Sequence, residues 1–146
     1  MKNQILYLMF ASMLASPAIA TANSPVVEVY KSPYCGCCGQ WIEHMQANGF
    51  KVSVHNTSDV VQYKYRFGVP SGYGSCHTAK VNGYLVEGHV PAREIKRLLR
   101  ERPDARGLVV PGMPSGAPGM VQGNRKDRFE VLLVRRDGTM QTYARY

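Results

Sequence analysis

An α/β fold with a mixed sheet is predicted by three observations. Short β-branched runs alternate with segments of helical periodicity, a cysteine-rich loop separates the first run from the first helix, and an Asn-Gly pair divides two later apolar runs. The chain has 146 residues, about the size of one domain. Its first 20 residues stand apart from that domain: Met1 to Gln4 is a short positive start, Ile5 to Leu14 is almost wholly apolar, and Ala18-Ile19-Ala20 has the small-x-small spacing of a signal-peptidase site. Residues 1–20 are therefore expected to be an export signal and residues 21–146 a single folded domain. The apolar run is too short to cross a bilayer, and nothing downstream is long enough to do so.

The elements follow in order. Val26-Val27-Glu28-Val29-Tyr30 reads as a buried strand ending at Lys31-Ser32-Pro33, and Cys35-Gly36-Cys37-Cys38-Gly39 follows as a loop. Trp41, Ile42 and Met45 then recur at helical spacing, and Asn48-Gly49 gives a stop. Phe50, Val52 and Val54 alternate with polar residues as a half-buried strand, and Thr57-Ser58-Asp59 offers caps for a helix through Val60, Tyr63 and Phe67 that Gly68 closes. Thr78 to Val81 and Tyr84 to Val86 form a hairpin around Asn82-Gly83. Pro91 suits a helix start, and Ile95, Leu98 and Leu99 make the apolar face of a helix ending before Pro103.

The order β, α, β, α, β, β, α, with a cysteine motif after the first strand, resembles the thioredoxin-like fold. That resemblance implies a four-stranded mixed sheet flanked by helices. Residues Pro103 to Arg128 hold five Gly and four Pro without periodicity, which predicts a long irregular loop of the kind that is usually functional or disordered. Phe129 to Arg135 and Thr139 to Tyr146, around Asp137-Gly138, predict a C-terminal β-hairpin outside the four-stranded unit.

The charge balance is basic, 18 Lys and Arg against 10 Asp and Glu. The basic residues are scattered, and an exported protein has little occasion to meet nucleic acid, so the excess reads as a solvated surface with neither a nucleic-acid nor a membrane partner. No Gly-rich phosphate loop, paired-carboxylate motif or Ser-His-Asp arrangement marks a small organic substrate.

Four cysteines, at positions 35, 37, 38 and 76, carry the functional signal. Three fall within four residues, whereas a stapled framework spreads its cysteines, so the clustering points to redox or metal chemistry. Cys35 and Cys38 form Cys-x-x-Cys at a helix start, where the positive end of the dipole favours thiolate. Cys37 disturbs a simple dithiol exchanger by offering a competing disulfide, while a third sulfur favours soft-metal binding. Cys76 precedes the third strand, where a thioredoxin-like fold normally has a cis-proline, and would aim a fourth sulfur at the first three. His77 beside it, His89 in Glu87-Gly88-His89, and His44 are further candidate ligands. His44 shares a helical face with Cys37 but lies two turns along, about 10 Å, so it could act only in a site extending over that face. His55 faces outward. Met113 and Met120, held in Gly-Pro backbone of the long loop, offer thioethers that suit Cu(I) and not zinc.

Four stretches carry a resemblance beyond the fold: Val29 to Trp41 around Cys35-Gly36-Cys37-Cys38, Ser75-Cys76-His77-Thr78-Ala79, Glu87-Gly88-His89-Val90-Pro91 and Val110-Pro111-Gly112-Met113-Pro114. In this order they are similar to the exported CopG-type copper-resistance family, long described as a domain of unknown function. The resemblance covers nearly all of residues 21–146. It implies a thioredoxin-like fold, a periplasmic location, and copper bound through the Cys-x-Cys-Cys motif and the later Cys-His.

The first functional reading is a periplasmic protein that holds Cu(I) in a multinuclear site, meets other periplasmic copper-handling proteins, and interconverts Cu(I) with Cu(II). Surplus sulfur suggests more than one ion, and imidazole tolerates both oxidation states. The alternative reading is a thiol-disulfide oxidoreductase using Cys35 and Cys38. A structural zinc site has the four thiols it needs, but leaves the loop methionines without a role.

Overall fold

Alternation along Val26–Lys31 sets the first strand, β1: Val27, Val29 and Lys31 turn to one face of the sheet, Glu28 and Tyr30 to the other. A computed structural model describes residues 24–120 and 123–146; the expected export signal, residues 1–20, lies outside the described residues. After β1 come α1 (Gly36–Ala47), β2 (Lys51–Asn56), α2 (Val60–Phe67), β3 (Thr78–Val81), β4 (Tyr84–Glu87) and α3 (Ala92–Glu101). The chain then continues through β5 (Ala105–Val109), β6 (Glu130–Arg135) and β7 (Met140–Arg145).

Among the described residues one sheet of seven strands results, in the order β2-β1-β3-β4-β5-β6-β7. β1 runs parallel to β2 and antiparallel to β3, β3 is antiparallel to β4, and β4 is parallel to β5. The expectation of a four-stranded sheet is therefore corrected. The extra strands enter through β5, which lies in the stretch that reads as irregular. Its strand signal is short and interrupted by Gly107, where the pairing with β6 shifts register. That glycine is required by contact: a Cβ there would lie 1.9 Å from the Leu85 carbonyl oxygen of β4. The C-terminal hairpin forms where it is expected, as β6 and β7, but β6 pairs with β5 and so continues the main sheet.

Helices cover both faces. Trp41, Ile42 and Met45 of α1 and Ile95 and Leu98 of α3 bury with Val27, Val29, Ala79 and Val86 in the larger core. The Trp41 indole N–H donates to the Val90 carbonyl at 2.9 Å, which satisfies the one polar atom of a wholly buried side chain. On the opposite face Phe67 of α2 packs with Leu85, Val109 and Val134, and Tyr63 stacks on Tyr30. α2 starts as its sequence directs, with Asp59 Oδ1 accepting the Gln62 N–H at 3.1 Å and Gly68 closing it in a left-handed conformation. Among the described residues no helix is long and apolar enough to cross a membrane.

Candidate metal centre

α1 begins at Gly36, five residues before Trp41, where the run of apolar residues starts. Cys35 takes the N-cap position and Gly36, Cys37 and Cys38 form the first turn, so what reads as a cysteine loop is largely helix. The turn carries no acidic residue, and its unbonded N–H groups face the sulfurs' end of the helix. Cys38 points into the core while Cys37 stays half-buried. Cys76 arrives from the other side, on the turn that leads into β3.

The four sulfurs form a closed ring. Cys35 and Cys38 are joined as a disulfide, and Cys37 and Cys76 are free thiols. Cys37 Sγ lies 3.5 Å from Cys35 Sγ and 3.7 Å from Cys76 Sγ, and Cys38 Sγ lies 3.5 Å from Cys76 Sγ. Cys76 also belongs to a second group: its sulfur is 3.0 Å from His89 Nε2 and 3.3 Å from His77 Nδ1. The potential ligand atoms within each group, Cys35-Cys37-Cys38-Cys76 and Cys76-His77-His89, all lie within 4.8 Å of one another. Cys76 is thus the shared corner of two donor sets.

Burial tunes these groups. It pushes the Cys76 thiol up to about 12, with the neighbouring Cys37 adding to the effect. His77 is held well below its ordinary value by burial first and then by His89 and Lys64, with a Gly88 backbone contact opposing. His89 is lowered by burial, against the pull of the Pro118 carbonyl. Both rings are therefore neutral, as metal ligation requires. For His89 the tautomer follows from chemistry: a carbonyl only accepts, so Nδ1 carries the proton that bonds Pro118 at 2.8 Å, and Nε2 presents a lone pair toward Cys76. Among the described residues, Nε2 of His77 is buried without a hydrogen-bond partner.

The other candidates are placed differently. His44 stands outside both donor groups, and its Nε2 accepts the Ala92 N–H at 3.1 Å at the start of α3. Pro91, at the N-cap of that helix, makes no side-chain cap bond, so a histidine from α1 supplies the acceptor. Met120 is half-buried against the main core and Met113 is exposed. Their loop nevertheless crosses the site. Gly112 donates to the Gly74 carbonyl and accepts from Ser75 Oγ, tying it to the Cys76 turn. At Gly119 it presses so close to α1 that a Cβ would lie 2.7 Å from the Trp41 nitrogen and 2.9 Å from the Cys37 carbonyl oxygen.

Three contributors escape a reading of the sequence. The Pro118 carbonyl is backbone and leaves no residue-type signal. Glu87 is fully buried; its Oε1 is paired with the Lys64 ammonium of α2 and accepts the Ser75 N–H at 2.7 Å. The one available hint was a carboxylate closing the apolar run Tyr84-Leu85-Val86.

Sulfur-rich donors at a helix start, roofed by a Gly-Pro-Met loop on an α/β sheet, define a class of small protein whose site is able to hold a metal ion. Residues 73–120 match a family of proteins of unknown function, DUF411. Two solved structures titled as copper resistance protein CopG, forms 2 and 1, are each 47% identical. They superpose with TM-scores of 0.82 and 0.80 over 85% of this chain and 99% and 98% of theirs. A comparison with curated proteins finds no match. This chain belongs to the CopG copper-resistance family, and the kinship together with the cysteine cluster supports a copper-related function.

Proposed function

We propose that the protein is exported to the periplasm through residues 1–20 and there, as a single domain over residues 21–146, binds copper as Cu(I) in a multinuclear site. Cys35, Cys37, Cys38 and Cys76 supply the sulfur, and His89 and His77 complete the donor set. Met113 meets copper transiently at the surface, Met120 supports the loop, and His44 serves α3. The observation that carries the reading is the double membership of Cys76, which lets one sulfur bridge two ions. The donors fit copper by chemistry: thiolate and thioether are soft, and imidazole accepts both oxidation states. The strand order β2-β1-β3-β4, with β3 antiparallel to its neighbours, supports a thioredoxin-like unit that carries this site.

The disulfide supports a redox role for the same residues. When Cys35 and Cys38 close from two thiolates to a disulfide, two electrons leave, enough to reduce two Cu(II) to two Cu(I). Opening the bond takes two electrons back and releases two thiolates as ligands. A second reading, thiol-disulfide exchange with protein substrates through Cys35 and Cys38, is favoured by that same bond at a helix start. Anaerobic titration of the reduced protein with Cu(I) against a competing chelator separates the two. The copper reading expects saturation above one equivalent; saturation at one equivalent removes the multinuclear site, and an absence of competition removes copper binding.

A further inference from the structure

Glu87 closes β4 with its side chain wholly out of solvent. A buried carboxylate is costly unless it is paired and hydrogen-bonded. Here both conditions are met at one oxygen only. Oε1 takes the Lys64 ammonium and the Ser75 N–H, whereas Oε2 has no partner among the described residues. Stability alone gives little reason to keep such a pair, because well-packed apolar replacements are often neutral or better. The bonded amide belongs to the residue before Cys76, which suggests a positional task instead.

Further bonds converge on the same place. Ser75 Oγ donates to the Gly112 carbonyl at 2.6 Å, and the Glu87 carbonyl accepts the Val110 N–H at 3.0 Å. Gly88 is enclosed so tightly that a Cβ would lie 2.6 Å from both the Ser75 side chain and the Val110 carbonyl oxygen. α2, the Cys76 turn and the chain entering the Pro111-Gly112-Met113 loop are therefore all tied at Glu87.

We propose that Glu87, charge-balanced by Lys64, is a positioning residue of the metal centre: by holding the Ser75 N–H it fixes the turn that aims Cys76 at Cys37, Cys38 and His89. Its own bonds reach no sulfur, so it acts through Ser75. The consequence for copper rests on the reading given under Proposed function, whereas the placement of the Cys76 thiol does not.

The test compares two variants in a Lys64→Met background, so that neither contains an unpaired buried cation. Glu87→Gln keeps an acceptor for the Ser75 N–H, and Glu87→Leu removes it. Alkylation of Cys76 in the metal-free, disulfide-bonded protein is followed by peptide-resolved mass spectrometry, with circular dichroism checking the fold. Leaving the Ser75 N–H unpaired is expected to raise the Cys76 rate by about tenfold in the Leu variant, while the Gln variant stays near the parent. Cu(I) affinity is expected to fall about ten- to a hundredfold in the Leu variant alone. Equal Cys76 rates in the two folded variants would overturn the proposal. If rates differ but the parent binds no copper, the copper reading fails and the positioning role stands. Should the Leu variant not fold, hydrogen exchange in the parent decides: a Ser75 amide as protected as β3 is expected, and one exchanging like an open loop would overturn the proposal.

Discussion

His89 and His44 use their ring nitrogens in opposite ways, and the difference separates the site from the scaffold. Near the first turn of α1, His89 bonds backbone through Nδ1–H and leaves the Nε2 lone pair facing Cys76. Near the last turn, His44 commits its Nε2 lone pair to the Ala92 N–H. The His89 ring is fully buried and the His44 ring half-buried, and both are shifted toward neutrality by burial. Residue type and the direction of titration therefore do not distinguish candidate ligand from structural residue here; the bonding of the second nitrogen does.

The largest effect is expected at the shared sulfur. Cys76→Ser removes the corner common to both donor groups, and Cu(I) affinity is expected to fall by more than about a hundredfold, beyond the usual cost of losing an outer partner. Chelator competition measures it. Cys37→Ser is expected to lower copper stoichiometry while leaving exchange through Cys35 and Cys38 intact, which a dithiol exchange assay on the same protein checks.

Next come the two histidines. His89→Ala is expected to weaken Cu(I) binding about tenfold and also to lower stability, because its ring is wholly buried and bonds the Pro118 carbonyl. His44→Ala should leave copper stoichiometry unchanged while costing about 1 kcal/mol of unfolding free energy, as for a lost helix cap. Denaturant titration beside copper titration tests both, and a His44→Ala protein with fewer coppers would return His44 to the site.

Acid should expose the same histidines more gently. His44, His77 and His89 are all lowered in the fold, so the unfolded chain takes up protons first. Stability of the metal-free protein is then complete above the unfolded histidine value, about 6.5. It falls as pH drops below that value and levels off beneath the folded values. Urea unfolding at several pH values from neutral to mildly acidic should show that slope, shallower in His44→Ala. The smallest effect is expected from Met113→Leu: an exposed thioether should alter the rate of copper transfer to a chelator by a few-fold at most, with equilibrium affinity and stability as in the parent.

How much of this was legible in the sequence depends on where the information sits. Val27 and Val29, the Trp41 to Met45 periodicity, Asp59 and the Asn82-Gly83 turn are local signals, and each placed its element. β5 was not legible, because Gly107 looks like a breaker in sequence and becomes a requirement only where β4 passes against it. The cysteines converge as their clustering suggested. His89 and His44 could not be told apart, since what separates them is a carbonyl at Pro118 and an amide at Ala92, both remote in sequence. Lys64 and Glu87, 23 residues apart, meet only once α2 is folded onto the sheet.

Under the function proposed above one sulfur, Cys76, joins two sets of donors around more than one copper. X-ray absorption at the copper edge on anaerobically loaded parent and Cys76→Ser protein tests it most directly. The expected result is a sulfur-dominated shell with a copper-copper vector in the parent and loss of that vector in the variant. A parent spectrum with isolated copper, or a vector that survives in Cys76→Ser, would contradict it.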